Sequence, residues 1–152
     1  MKIALLALLF SSSSSILAQD ISLKGIPQIQ VRVNLVEGQG TGACVDADSL
    51  AKLYGETKGP IQTETELRLR EAGMRIGSSA PILAIDISTC PGLVSVTTRL
   101  VEWVSSSRGQ NGLAVTWMFG YQMGDSTGLK IREQIRDQVS KFVNLWLADN
   151  GK

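Results

Sequence analysis

Histidine is absent from the chain, and cysteine nearly so, with Cys44 and Cys90 the two among 152 residues. Without an imidazole, the usual general base of serine and cysteine hydrolases is missing, as is the commonest zinc ligand. A catalytic cysteine with no histidine partner is a poor expectation. An excess of charge of one sign is lacking too: 15 Lys and Arg stand against 14 Asp and Glu. Such a chain has no basic field to gather nucleic acid or an anionic lipid surface, so no nucleic-acid partner is expected. Beyond the first 18 residues no apolar run approaches the roughly 20 residues a membrane helix needs, which predicts no stable membrane insertion. No cofactor and no metal set is expected.

What is present begins with an export signal. Lys2 supplies a positive start, and Ile3 to Phe10 is apolar over a length suited to a signal peptide, too short to span a bilayer. Ser11 to Ser15 leads into Ile16, Leu17 and small Ala18, which places the cut before Gln19. The residue at that cut is Gln19 and not a cysteine, which disfavours a lipid anchor. The predicted organisation is therefore a signal peptide over 1–18 and one α+β domain over 19–152, periplasmic or secreted. Removing the leader takes Lys2 with it, equalises the two charge counts, and leaves about 134 residues, enough for one core. In an oxidising compartment Cys44 and Cys90 are candidates for a disulfide, worth about 4 kcal/mol in the chain-entropy model. The alternative is two buried thiols that never meet.

Periodicity predicts the elements. Ile29, Val31, Val33 and Leu35 alternate with Gln28, Gln30, Arg32 and Asn34, as in a strand with one buried and one wet face, over Ile26 to Glu37. Gly38, Gly40 and Gly42 open a turn, Asp46 caps a short helix ending at Gly55, and Gly59-Pro60 reads as a break. Thr63 and Glu66 fit a capping box at the start of a helix that Gly73 stops. Leu69 and Ala72 continue one face from Thr65, and Arg68 and Arg70 point to water.

Met74-Arg75-Ile76 then begins a strand. Ile82 to Ser88, Leu93 to Val104 and Leu113 to Tyr121 read as an antiparallel meander, with a turn at Cys90-Pro91-Gly92. A phase switch between Leu100 and Val101 predicts a β-bulge near Glu102. Ile131, Ile135, Val139, Phe142 and Trp146 recur at steps of four and three, predicting an amphipathic helix from about Leu129 to Ala148. Asp137 and Lys141 form a favourable pair on its wet side. The fold class expected is α+β: a two-layer sandwich, with a mixed sheet of about five strands (a parallel crossover plus an antiparallel meander) and two longer helices on one face.

The run Thr63-Glu-Thr-Glu-Leu-Arg-Leu-Arg-Glu-Ala-Gly-Met74 resembles the T-x-x-E-L-x-L-R-x-A-G-I cassette of small uncharacterised secreted bacterial proteins. Two strands and a terminal helix similar to theirs follow at Leu93-Val-Ser-Val96, Ala114-Val-Thr-Trp117 and Ile131 to Leu147. Met74 departs from the usual β-branched residue and Val94 from an aromatic. The resemblance implies the fold and the compartment. More distantly, the element order is similar to the amino-terminal domain of the Tol-Pal system's periplasmic propeller protein and to the α/β domains of envelope secretion lipoproteins, a likeness of fold alone.

Gly38-x-Gly40-x-x-Ala43 superficially fits a dinucleotide fingerprint, but the preceding strand is wet on one face and Glu64, the next acidic residue at suitable distance, starts a helix. Asp46 and Asp48 lack the Gly and Glu of a calcium loop, since Ala51 and Thr57 stand there. Glu102 beside Trp103, with Asp86 second, is the candidate for a carboxylate-dependent hydrolase. Ser105 to Ser107 with Arg108 is a polar loop. Trp117 and Tyr121 share a face with Val115 and Phe119 and are expected in the core, whereas Trp103 is the ring expected at the surface. The reading this supports is an exported, non-enzymatic binding or accessory domain of an envelope or secreted assembly. Its candidate surface is Gln28, Gln30, Arg32, Asn34 and Trp103. The alternatives are a glycan- or peptidoglycan-binding module using the aromatics, and the hydrolase.

Overall fold

The computed structural model describes residues 22–37, 58–79, 81–90, 93–124 and 128–152. The chain order is β1 (Gln28–Glu37), α1 (Lys58–Glu71), β2 (Arg75–Ile76), β3 (Ile82–Cys90), β4 (Leu93–Ser105), β5 (Asn111–Met123) and α2 (Gly128–Asp149). The strands form one open sheet in the order β2-β1-β3-β4-β5. β1 is parallel to both β2 and β3, and the remaining two pairs are antiparallel. This is the expected α+β sandwich, with the β1–α1–β2 crossover and the β3–β4–β5 meander joined in one sheet.

Alternation decides which face is covered. Ile29, Val31 and Val33 of β1, Leu83, Ile85 and Ile87 of β3, and Val94, Val96 and Leu100 of β4 are all buried. They meet Ile61 and Leu69 of α1 and Ile131, Ile135, Val139, Phe142 and Trp146 of α2, the apolar stripe read from the sequence. Trp117 packs edge-on against Phe142 at 5.1 Å between ring centroids, a favoured aromatic geometry. At roughly 1.5–3 kcal/mol for each fully buried large side chain, this single interface dominates the favourable side of folding.

The first helix begins earlier than expected. Lys58, Gly59 and Pro60 form its first turn, where a missing amide hydrogen costs nothing because that donor has no intrahelical partner. The Gly59-Pro60 break and the Thr63/Glu66 capping box are thereby corrected. Thr63 is an exposed interior residue, and Glu66 instead pairs with Arg70 at 2.9 Å and accepts from Gln62 at 2.9 Å. Arg68 is corrected as well, since it donates to the Arg136 carbonyl at 2.8 Å and to Ser140 Oγ at 2.5 Å, tying α1 to α2. Arg136 in turn pairs with Glu64, whose hydrogen bond first and charge second raise the guanidinium pKa.

The expected helix stop holds. Gly73 has φ +90°, its amide bonds the Arg70 carbonyl at 2.9 Å, and the Met74 amide bonds that of Leu69 at 2.9 Å. Those two bonds are a Schellman motif, which needs a left-handed residue at this position.

The amino-terminal strap was not expected. Leu23 is fully buried, its amide donates to Asp149 Oδ2 at 2.5 Å, and its carbonyl accepts from Asn150 at 3.2 Å. Trp146 Nε1 donates to the Ile26 carbonyl at 3.0 Å. The start of the described chain is thus latched to the end of α2. The leader, the glycine turn at Gly38 to Ala43, the Asp46 helix with Asp48, and the Pro91-Gly92 turn lie outside the described residues. The Cys44–Cys90 pairing lies outside the described side chains.

Candidate binding face

The sheet face turned away from the helices carries the residues singled out in β1, and register arranges them in rows. One row runs Arg32, Ala84, Arg99, Met118; the next runs Asn34, Asp86, Thr97, Gly120. Asp86 holds this polar half together: Asn34 Nδ2 donates to its Oδ1 at 2.7 Å, and Arg99 Nε pairs with its Oδ2 at 2.7 Å. Arg32 donates to Gln30 at 3.3 Å. Gln28 is engaged by its own chain, because Gly77 and Ser79 lie beside it. Its amide donates to Ser79 Oγ at 3.2 Å and fills the space where a Cβ on Gly77 would stand. Of the four β1 candidates, Arg32 is exposed and the other three are half-buried.

The other half of the same face is apolar. Gln30, Ile82, Val101 and Val115 form a row, and Trp103 stands opposite Leu113. Trp103 is 65% exposed, Met118 64%, Leu113 56% and Val115 48%. Isolated apolar residues at a surface are ordinary, whereas a contiguous group marks a contact site. Trp103 is at the surface as expected; Met118, Leu113 and Val115 were not singled out.

The reason lies in the bulge. Leu100 faces Trp117 and Val101 faces Val115, so the extra residue is Thr116 of β5, not one near Glu102 of β4. The expectation that Val115 shares a face with Trp117 is corrected accordingly. One inserted residue sends Leu113 and Val115 to the outer face while Trp117 stays in the core. Glu102 accepts from Thr116 Oγ1 at 2.5 Å, which anchors the bulge. Tyr121 is 48% exposed, so of the two rings expected in the core it is Trp117 that is buried.

Beyond this face, a cleft of about 480 Å³ opens beside the end of β5, lined by Tyr121, Met123, Lys130, Glu133 and Gln134. Another of about 280 Å³ runs between the helices at Arg68, Ser140 and Asn144. Among the described residues no three His, Cys, Asp or Glu are grouped to hold a metal, and no helix is long and apolar enough to cross a membrane. Amides, the exposed Arg32, one guanidinium–carboxylate pair and an apolar shelf are the groups the outer face presents.

No protein-family model and no curated protein matches the chain. Among solved structures it is similar to a minor lipoprotein of Acinetobacter baumannii, at 5% identity and a TM-score of 0.31, over 82% of this chain and 92% of that one.

Proposed function

We propose that the chain is an exported, non-enzymatic binding domain, an accessory of a bacterial envelope or secreted assembly, acting through the outer face of its sheet. The observation that carries this is the exposed group Trp103, Leu113, Val115 and Met118 on the face the helices leave uncovered. Burying such side chains against a partner is favourable at about 25 cal/mol per Å² of apolar surface, and the neighbouring Asn34–Asp86–Arg99 cluster offers fixed polar contacts at the rim. The leader-like residues 1–18 and the resemblance to secreted bacterial proteins support a periplasmic or secreted compartment.

The test is a photo-crosslinking residue placed at Val115, with Leu67 as the matched control. Leu67 is 53% exposed and lies on α1, in the helix layer. Expressed from the native leader in its host, the Val115 variant should form a discrete adduct with one envelope protein, and the Leu67 variant none. Equal labelling at both positions, or none at Val115, overturns the proposal.

Trp103 supports a second reading, a glycan- or peptidoglycan-binding module, because an exposed ring on a flat face can stack on a sugar. A Trp103→Ala variant should then lose retention on insoluble peptidoglycan. Unchanged retention removes this reading.

A further inference from the structure

The two edges of the sheet are built differently. β2 is two residues long and carries Arg75. β5 is thirteen residues long, Asn-Gly-Leu-Ala-Val-Thr-Trp-Met-Phe-Gly-Tyr-Gln-Met, with no charged residue and no proline. Every other strand contains at least one charge. Among the described residues no strand pairs with the outer side of β5. A long, uncharged edge with apolar side chains is a template for another strand, and proteins that leave such an edge open blunt it with charge or proline. Here the one blunting device is the bulge at Thr116, which leaves Trp117 to Met123 as a regular, uncharged segment.

We infer that this edge is covered by a second copy of the chain, β5 pairing antiparallel with β5 about a two-fold axis at Gly120. The strand is self-complementary in that register. Phe119 of each copy falls opposite Tyr121 of the other, Met118 opposite Gln122, and Trp117 opposite Met123, with glycine against glycine on the axis. Cross-strand aromatic pairs are among the more favourable contacts in a sheet. An isologous interface requires that one patch match itself, and this register meets that requirement. The result is a continuous sheet of ten strands, with the apolar shelves of both copies on one side. This association requires neither export nor the partner proposed above.

The experiment is sedimentation equilibrium of the purified chain across a micromolar concentration series, with two double variants. Met118 is exposed, as is Gln122, so replacing them leaves the core intact. Met118→Glu with Gln122→Glu places like charges opposite each other twice across the axis, as does Met118→Lys with Gln122→Lys. Unaltered circular dichroism and melting confirm that each variant folds. The chain itself should sediment at twice its own mass and each double variant at half that value. An equimolar mixture of the two variants should regain the doubled mass, because opposite charges then face each other. A monomeric parent chain, a dimer that survives either substitution, or a mixture that fails to associate overturns the inference.

Discussion

Thr98 of β4 and Gln138 of α2 are both fully buried, and the threonine hydroxyl donates to Gln138 Oε1 at 2.7 Å while Gln138 Nε2 donates to the Val96 carbonyl at 3.0 Å. The amide thus has a partner at each end in an otherwise apolar interface. A slide of α2 along β4 leaves the buried hydroxyl and amide unpaired together, so this contact fixes the register in which the helix lies on the sheet. A Thr98→Val variant keeps the shape and strands the Gln138 oxygen. It should lose about 1–3 kcal/mol in urea unfolding. Adding Gln138→Leu should recover part of that loss, and strictly additive losses would contradict the coupling.

The glycine that ends the first helix should not tolerate a side chain. Gly73→Ala places a Cβ at φ +90° in the helix stop and should cost about 1–2 kcal/mol. A thermal melt of the variant checks the loss, and an unchanged or raised melting temperature would contradict it.

The amino-terminal strap depends on the far end of the chain. Asp149→Ala removes the acceptor of the Leu23 amide and should speed hydrogen exchange at Leu23 and Gly25. Amides of β3, which are held by pairing on both sides, should keep their protection. Uniform acceleration across the sheet would show instead that the strap is part of the global unfolding unit.

The elements that were legible in the sequence are those whose partners lie in one repeating direction. Ile29, Val31 and Val33 gave β1 by alternation, and Ile131 to Trp146 gave α2 by its stripe; all are buried as that pattern requires. Gly73 was legible because a single residue type suits its backbone. The start of α1 was misread because Thr63-x-x-Glu66 satisfies the capping pattern while the real first turn contains Gly59 and Pro60, residues that more often mark a break. The strap joins residues more than a hundred positions apart, and no local periodicity encodes such a contact.

For the candidate site, β1 was found by its polar alternation, but the apolar half of the face was hidden by the bulge. Leu113, Val115, Trp117 and Phe119 keep a period of two in sequence while Thr116 changes their side in space. One signal could have exposed it, namely the absence of any charge from Asn111 to Met123.

Export is the claim on which the proposed function depends, and intact mass with amino-terminal sequencing of the chain recovered from its native host tests it most directly. The predicted result is a chain in the periplasmic or secreted fraction that begins at Gln19, three residues ahead of the described strap. Chains retaining Met1 in the cytoplasmic fraction would contradict it.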